Sequence, residues 1–314
     1  MPTRPAGGAH LRGSSSCGGR LYKTSLAARS CHGCPASAGR HGACRTGVRR
    51  RLGSLSRWTA TRSLTLPVDG RPLFTVCSAG PRSVHAPVVV LVHALEDSSA
   101  SLLGMVRALA PDHRVYALDL PGFGRSDGPA GGLDVPALGD AVAAWLEAMG
   151  LSNATVVGSS TGCQVVVQLA ARHPERVARV VLDGPTLAPQ VRSTVRLLLA
   201  WLRNLRHVPP WQTARSVRNV LAMGAVRTRR TLRRVLADHI EDALPRIAVP
   251  ALVVHGARDA IAPGRWAGEV TRRLPAGRLY VVPNVAHGVG TLAPRALAAA
   301  VYHFVRDVPH RRAA

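Results

Sequence analysis

Residues 156–174, VVGSSTGCQVVVQLAARHP, change character in the middle. The segment before Gly158 is a short apolar run with β-branched valines, which predicts a buried strand. After Gly162 the apolar residues recur at helical spacing until a proline ends the pattern, which predicts a helix. Two serines flanked by glycines, Ser159 and Ser160, therefore lie at a strand-to-helix turn.

Residues 158–162 have the form Gly-x-Ser-x-Gly. A sharp strand-to-helix turn holds its central residue in a strained conformation and exposes the hydroxyl above the sheet. The helix N-terminus behind it supplies N–H groups that can stabilise an oxyanion. This geometry selects Ser160 as the candidate nucleophile and leaves Ser159 as a small filler. A Gly/Ser loop without chemistry stays open as the alternative, because the bare pattern is common.

Strands and helices alternate around this turn. Near-continuous apolar runs are typical of parallel strands that helices cover on both faces. Such runs predict strands at residues 86–94, 113–120, 154–158, 179–184, 250–256 and 278–283. Helical patterns occur at about 100–110, 136–149, 162–173 and 294–307. A turn at 68–71 between two further strand-like segments predicts a β-hairpin. The alternation predicts an α/β fold with a doubly wound, mostly parallel sheet.

The alternation stops at residues 186–245, which are rich in arginine and helical in pattern. Because this block follows one strand and precedes the next, it is predicted to be a helical cap inserted into a core of residues 61–185 and 246–314. Its apolar residues predict an apolar underside: Leu197, Leu198, Leu199, Trp201, Leu202 and Trp211. Its arginine cluster is interpreted as a solvated face rather than a carboxylate clamp: Arg229, Arg230, Arg233 and Arg234.

Residues 1–60 contain eleven basic residues and no acidic one, and they lack apolar periodicity. This composition predicts a disordered tail. A translation start further along, for example at Val48, is one interpretation of the tail, and an organellar transit peptide is another. The tail also holds Cys31, Cys34, His41 and Cys44, whose irregular spacing argues against a zinc site. We expect no metal and no cofactor.

The net charge of +24 comes from 41 basic residues, of which only Lys23 is a lysine. This skew towards arginine is typical of GC-rich coding, so we expect no nucleic-acid partner. No run of about 18 apolar residues occurs, so no membrane-spanning helix is expected. The lone thiols Cys77 and Cys163 suit a reducing, cytoplasmic location. The sequence does not specify an oligomeric state.

A nucleophilic serine needs a base, and the base needs an orienting carboxylate. Asp259 directly follows the predicted strand at 250–256, and His287 follows the strand at 278–283. Because the carboxyl ends of parallel strands meet at one edge of the sheet, both side chains are expected beside Ser160. Each residue alone could be an ordinary loop residue. Their placement, in the chain order Ser, Asp, His, favours a catalytic triad.

These motifs together resemble the α/β-hydrolase family. The resemblance covers about residues 62–308. Within the family, the chain is similar to the capped branch of esterases, C–C bond hydrolases and perhydrolases. It is carried by VLVHAL (90–95), DLPGFGRSD (119–127), GSSTG (158–162), HGARD (255–259) and NVAHG (284–288). The resemblance implies that Ser160 is the nucleophile, Asp259 the orienting acid and His287 the general base.

The resemblance also implies that the backbone N–H groups of Leu95 and Thr161 form the oxyanion hole. Members of the family usually have glycine after the histidine of the 90–95 motif, whereas this chain has Ala94, with Glu96 two residues further on. A side chain at position 94 is expected to strain the loop. A carboxylate at Glu96 is expected to oppose a developing oxyanion unless it points outward.

Two hypotheses of function follow. The leading one is a cofactor-free serine esterase that forms an acyl-enzyme on Ser160 and acts on a small molecule with an apolar acyl or aryl part. Cleavage of a C–C bond beside a ketone, or transfer to peroxide or alcohol, stays open within the same fold. The rival is a catalytically idle fold that binds a small apolar ligand, as the departures at Ala94 and Glu96 suggest.

Overall fold

An eight-stranded sheet forms the centre of residues 60–80 and 85–307, which the computed structural model describes. Its strands are β1 (Thr61–Val68), β2 (Arg71–Ser78), β3 (Val88–Val92), β4 (Arg114–Leu118), β5 (Ala154–Ser159), β6 (Val177–Asp183), β7 (Ala251–Gly256) and β8 (Gly277–Val282). Their spatial order is β1-β2-β4-β3-β5-β6-β7-β8. The pairs β1–β2 and β2–β4 are antiparallel, and the pairs from β4 to β8 are parallel. The predicted mostly parallel sheet is confirmed.

The β1–β2 hairpin shows how the sequence specifies a local turn. Val68 pairs with Arg71, so the loop has two residues, Asp69 and Gly70. Both have positive φ, 49° and 73°. Aspartate and glycine are residues that reach this conformation at low cost, and the turn that they form matches the twist of the flanking strands.

Ten α-helices follow or connect the strands in the described ranges. They are α1 (Leu103–Leu109), α2 (Val135–Ala148), α3 (Gly162–Arg172), α4 (Thr194–Leu205), α5 (Pro210–Met223), α6 (Ala225–Ala237), α7 (Ile240–Ala243), α8 (Gly264–Arg273), α9 (Val289–Leu292) and α10 (Pro294–Asp307). The predicted helices agree with α1, α2, α3 and α10 within a few residues. Helix α8 has no counterpart in the sequence prediction, because only Trp266, Ala267 and Val270 are buried in its otherwise polar length.

The helices cover both faces of the sheet, which explains why β3 is apolar throughout. Val90 and Val92 pack with α2 and α3 in one apolar cluster. Val89 and Leu91 pack with α1 and α10 in a second cluster on the other face. Alternate side chains of a strand point to opposite faces, so a strand covered on both sides needs apolar residues at every position. This burial fixes where each strand ends and therefore where the loops of the site begin.

Helices α4, α5 and α6, called the insertion helices below, lie in the chain between β6 and β7. All three lie in the block at 186–245 whose sequence pattern is helical. Gly224, with φ of 78°, separates α5 from α6. The division of the chain into a core at 61–185 and 246–314 and a cap at 186–245 stays a prediction.

Some sequence predictions concern residues 1–59, which lie outside the described residues; they include the disordered tail and the cysteines at positions 31, 34 and 44. Within the described ranges, no cluster of three or more His, Cys, Asp or Glu side chains could hold a metal ion. None of the helices in these ranges is both long enough and apolar enough to cross a bilayer.

Candidate active site

The turn after β5 holds Ser160 in the left-handed region, with φ of 54°. Its N–H donates to the carbonyl oxygen of Asp183 at 2.8 Å. The flanking glycines make the tight turn possible. A Cβ atom at Gly158 would lie 2.8 Å from the Cα of Cys163, and one at Gly162 would lie 2.5 Å from the carbonyl oxygen of His93. A strained residue of this kind at a sheet edge is a common feature of functional sites.

The structure brings together the three residues that the sequence selected. Nε2 of His287 lies 2.8 Å from Oγ of Ser160. Nδ1 of His287 lies 2.7 Å from Oδ2 of Asp259. Both distances are those of hydrogen bonds, so a continuous chain runs from hydroxyl to imidazole to carboxylate.

The loops after β7 and β8 fix the orientation of this chain. Oδ1 of Asp259 accepts the N–H groups of Ile261 and Ala262, each at 2.8 Å, which leaves Oδ2 for the imidazole. The N–H of His287 donates to Oδ1 of Asn204 on α4 at 3.4 Å. The carboxylate of Asp259 is therefore held by backbone donors of its own loop. His287 is held by Asp259 through its ring and by Asn204 through its backbone N–H.

The protonation of His287 reflects opposing effects. Burial lowers the pKa of its imidazole, but the charge of Asp259 and its hydrogen bond, with the charges of Asp183 and Glu96, raise it by more. The net pKa is raised above the ordinary value. The surrounding carboxylates therefore favour the imidazolium, which is the form that a general base reaches after it takes a proton.

A second buried carboxylate, Asp183, lies beside Ser160, His287 and Asp259 and was missed from the sequence. Its oxygens accept the N–H groups of Val289 and Gly290 at 3.2 and 2.9 Å, and the hydroxyl of Ser159 donates to it at 3.4 Å. Burial raises the pKa of Asp183 to about 6. Asp183 is the last residue of β6, so the sheet-edge argument that located Asp259 could have located it too. It anchors the loop that carries His287.

Gly184, the next residue, packs under the imidazole. Its φ is 60°, and a Cβ atom there would lie 3.2 Å from Cε1 and Nδ1 of His287 and 3.4 Å from Oδ2 of Asp259. Glycine is therefore required both by the backbone conformation and by the space beneath the His–Asp pair.

The two residues predicted to form the oxyanion hole are adjacent, but they contact each other. The N–H of Leu95 donates to Oγ1 of Thr161 at 2.8 Å. The same hydroxyl donates to Oε2 of Glu96 at 3.2 Å. The Leu95 N–H is therefore free for a substrate oxygen only after the Thr161 side chain moves. The N–H of Thr161 lies at the N-terminus of α3, where N–H groups lack intrahelical acceptors.

Glu96 points into the site, which is the unfavourable orientation considered above. It lines the cavity over Ser160 and contacts Thr161. Burial raises the pKa of its carboxyl, as does the charge of Asp97. The carboxylate is thus less acidic than an exposed glutamate.

The expectation of strain at Ala94 is wrong. Ala94 is not among the described residues with positive φ, so its Cβ imposes no strain on the backbone conformation there. Its carbonyl oxygen lies 2.7 Å from Nδ1 of His93 and accepts the N–H of Asp97 at 2.8 Å. Nε2 of His93 accepts the N–H of Leu120 at 3.0 Å, so the ring proton is on Nδ1. Burial lowers the pKa of His93, which favours the neutral ring that these two contacts require.

A cavity of about 520 Å³ lies over Ser160 between the sheet edge and the insertion helices. Of the apolar residues predicted to face it, Leu197, Leu198 and Trp201 line it. The other three, Leu199, Leu202 and Trp211, are exposed and do not line the cavity. The predicted apolar underside thus exists, but only half of the residues selected for it belong to it.

The arginine cluster divides in a similar way. Arg229, Arg230 and Arg233 are exposed, in agreement with a solvated face. Arg234 donates to the carbonyl oxygens of Gly131 and Leu133 at 2.7 and 3.1 Å. This arginine therefore ties α6 to the loop before α2.

Comparisons with known proteins agree with this architecture. Residues 87–222 match the family model described as alpha/beta hydrolase fold. A pimeloyl-[acyl-carrier protein] methyl ester esterase of Chromobacterium violaceum is 30% identical over 239 residues, 65% of this chain and 88% of the relative. The protein of the same name from Aeromonas hydrophila is 28% identical over 257 residues, 70% and 96% of the two chains.

Among solved structures, the esterase RhEst1 from Rhodococcus sp. ECU1013 has a TM-score of 0.62, with 22% identity over 79% of this chain and 99% of that one. At that identity the likeness shows the fold. The sheet order, the strand-to-helix turn at Ser160 and the matches along the sequence lead to one assignment. The chain belongs to the α/β-hydrolase fold family and is an enzyme, a hydrolase.

Proposed function

We propose that the enzyme is a serine hydrolase that cleaves a carboxylic ester through an acyl-enzyme on Ser160. The observation that carries the proposal is the hydrogen-bonded chain from Ser160 through His287 to Asp259, with distances of 2.8 and 2.7 Å. A hydroxyl so placed can lose its proton to the imidazole at the moment of attack.

In the first half-reaction, Oγ of Ser160 forms a bond to the carbonyl carbon and its proton passes to Nε2 of His287. Asp259 stabilises the imidazolium that results. The tetrahedral intermediate then releases the alcohol, which takes the proton back from His287. In the second half-reaction His287 deprotonates water, whose oxygen attacks the acyl carbon. The bond to Oγ of Ser160 then breaks, the acid leaves, and the proton on His287 passes to Oγ, which restores free Ser160.

The negative oxygen of each tetrahedral intermediate needs hydrogen-bond donors. The N–H of Thr161 at the start of α3 and the N–H of Leu95 are the donors that we assign. Leu95 becomes available when the Thr161 hydroxyl turns away from it, since the two are hydrogen-bonded to each other. Substrate binding therefore includes a rotation of this one side chain.

The substrate class is inferred from the cavity and from the relatives. The cavity is lined largely by aliphatic and aromatic side chains of α4 and α5, which suits an ester with an apolar acyl or aryl part. The relatives quoted above are named methyl ester esterases, so an ester is the first substrate to test.

A fluorophosphonate probe and a series of p-nitrophenyl esters of increasing chain length test the proposal. Ser160→Ala should abolish labelling and lower ester turnover by about 10⁴–10⁶-fold, because the nucleophile acts with the rest of the triad. Ser159→Ala is the matched control and should keep most of both activities, since its hydroxyl contacts Asp183 rather than His287. Loss of labelling in Ser159→Ala alone would show that the nucleophile is assigned to the wrong serine.

The rival hypothesis, a catalytically idle fold that binds an apolar ligand, conflicts with the assignment of the chain as a hydrolase. The observation that favours it is the contact between Leu95 and Thr161, which occupies one oxyanion donor. The same probe decides between the two, because an idle fold is not labelled and does not turn over any ester of the series.

A further inference from the structure

Helix α4 is apolar on two faces, and one of them is exposed. Leu197 and Trp201 line the cavity, and Ala200 between them is buried. Val195, Leu198, Leu199 and Leu202, by contrast, are between 46% and 67% exposed. Their spacing of i, i+3, i+4 and i+7 puts them on one side of the helix. Packing inside the fold therefore does not explain this second face.

Helix α5 continues the exposed apolar surface. Trp211, Val217, Val220 and Leu221 are between 38% and 74% exposed. The last three also line the cavity over Ser160, as does Leu198 of α4. Twelve large apolar side chains are exposed within the described ranges, and nine of them lie on the insertion helices. The exposed surface thus begins at the rim of the cavity.

The same helices carry an unusual charge. Between Asp183 and Asp238 the sequence has eleven arginines and no acidic residue. On α4 the exposed arginines are Arg196 and Arg203, and α5 adds Arg218. Surface helices of soluble domains normally mix both signs of charge, so an acid-free, arginine-rich surface indicates an anionic partner.

We propose that the exposed apolar and arginine side chains of α4 and α5, called the insertion face, dock on an anionic lipid bilayer. Leucine, valine and tryptophan side chains insert at the level of the acyl chains, while arginines pair with headgroup phosphates. Trp211 is of the residue type that prefers this interface. Because the cavity rim belongs to the insertion face, an ester dissolved in the bilayer can enter the cavity without crossing water.

The two other kinds of partner fit only part of the surface. A second copy of the chain would bring its own acid-free face against this one, and the arginines would repel each other. A nucleic acid or an acidic protein would neutralise the arginines, but neither explains the leucine stripe of α4. A bilayer with anionic headgroups satisfies the apolar and the charged side chains together.

Binding of the full-length chain to vesicles tests the docking. We expect cosedimentation with phosphatidylcholine vesicles that contain phosphatidylglycerol, weaker binding at high salt and little binding to pure phosphatidylcholine. Leu199→Glu/Leu202→Glu should weaken binding by about tenfold or more, and so should Arg203→Glu/Arg218→Glu. Leu279→Glu, at an equally exposed apolar residue of β8, is the control and should bind as the wild type does.

Tryptophan fluorescence identifies the surface that inserts. Brominated lipids should quench the wild-type chain, and Trp211→Phe should remove most of that quenching. Trp145 and Trp266 are buried in the core and should contribute little. Trp201 lines the cavity on the same helices, so quenching that survives in the double variant Trp201→Phe/Trp211→Phe would place the contact elsewhere and overturn the proposal.

The remaining outcomes also decide the matter. Equal binding of wild type and Leu199→Glu/Leu202→Glu would assign vesicle binding to another part of the chain, such as the basic residues of 1–60, and would overturn the proposal. So would a chain that ignores anionic vesicles, or a change from dimer to monomer as the only effect of the variant. The docking goes beyond the proposed function, and only the delivery of substrate rests on it.

Activity separates the two proposals. Leu199 and Leu202 do not line the cavity, so their variant should hydrolyse a water-soluble p-nitrophenyl ester like the wild type. The variant should lose turnover of an ester presented in anionic vesicles. If the serine hydrolase proposal fails, no ester is cleaved, but the vesicle binding and the tryptophan quenching are unaffected.

Discussion

The two halves of the candidate site are held by different means. The backbone fixes the half that consists of Ser160, His287 and Asp259. A strained turn holds Ser160, and two backbone N–H groups donate to the carboxylate of Asp259. The other half consists of Leu95 and Thr161, where a side-chain hydroxyl accepts the N–H that a substrate oxygen would need. The base half is thus preorganised, whereas the oxyanion half is closed by one rotatable bond.

The difference matters because the two kinds of restraint have different energies. A hydrogen bond of a hydroxyl contributes about 0.5–1.5 kcal/mol, and a side chain changes rotamer quickly. Rebuilding a turn or burying an unpaired carboxylate costs several times more. Changes in the base half should therefore lower the rate by orders of magnitude, and changes in the oxyanion half should alter it slightly and in either direction.

After Ser160→Ala, the largest effect is expected from Asp259→Asn. The amide would keep its oxygen on the N–H groups of Ile261 and Ala262 and would turn its NH₂ group towards Nδ1 of His287. The imidazole proton would then move to Nε2, which could no longer accept the proton of Ser160. We expect kcat to fall by about 10³–10⁴-fold, measured on a p-nitrophenyl ester.

Asp183→Asn is the matched control, because Asp183 is also a buried carboxylate at the end of a neighbouring strand. The NH₂ group of the new amide would face the N–H of Val289 or Gly290, two donors without an acceptor, and this would lower the free energy of unfolding. The tautomer of His287 would be unchanged. The rate should fall by about tenfold or less. A larger loss than in Asp259→Asn would make Asp183 the orienting acid and contradict our assignment.

The second effect is expected from Gly184→Ala. The new Cβ would lie 3.2 Å from the imidazole of His287, and the alanine would have to keep a φ of 60°. Gly150→Ala is the control, since its φ is 62° and nothing lies within 4 Å of the added carbon. Both variants should lose about 1 kcal/mol in the free energy of unfolding, measured by urea titration.

Only Gly184→Ala should also lose activity, by about 10–100-fold, because a shift of the reacting groups by less than 1 Å is costly. Equal rates in the two variants would mean that the imidazole tolerates the displacement. The position of His287 would then be less constrained than the glycine contact indicates.

Much of the base half could be predicted from the sequence, because backbone rules determine it. The glycines around Ser160 mark the turn, and the strand ends place Asp259 and His287 at one edge of the sheet. Burial on both faces makes the strands readable as apolar runs, so most elements lie within a few residues of their predicted bounds.

The oxyanion half could not be predicted, because it depends on side-chain rotamers. Nothing in the sequence shows that the Thr161 hydroxyl lies between the Leu95 N–H and Glu96, since the three groups come from two separate loops. The prediction of strain at Ala94 was wrong because φ at that position depends on how the loop is packed, which the sequence does not show. On α4 and α5 the apolar residues give no sign of which face is covered, so three of the six, Leu199, Leu202 and Trp211, were misplaced.

The third effect is expected from Thr161→Ala, which removes the hydroxyl that occupies Leu95. The N–H would need no rearrangement before it binds the substrate oxygen, so kcat/KM should rise by about two- to tenfold, the equivalent of one hydrogen bond. Thr161→Ser keeps the hydroxyl and should change kcat/KM little. A fall in Thr161→Ala with normal activity in Thr161→Ser would show that the hydroxyl itself donates to the oxyanion.

The smallest effect is expected from Glu96→Gln, and it appears in the pH profile. In the proposed mechanism His287 acts as a base only when neutral, so kcat/KM should rise with pH as its imidazole loses the proton. The charge of Glu96 is one of the causes that raise the pKa of His287. Removing that charge should move the acid limb of the profile to lower pH. The plateau at high pH should change by about twofold or less, because the Glu96 carboxylate contacts the Thr161 hydroxyl and none of the reacting groups.

Glu175→Gln is the control for this shift, because Glu175 is an exposed acid beyond the far end of α3. Its acid limb should coincide with that of the wild type. If the limb of Glu96→Gln also stays in place, the Glu96 carboxyl is protonated throughout the range, which its raised pKa would favour, and it bears no charge against the oxyanion. A limb that moves to higher pH would contradict the arrangement, because removing a negative charge near His287 should lower the pKa of its imidazole and not raise it. The position of this one limb therefore reports whether Glu96 carries a charge that acts on His287.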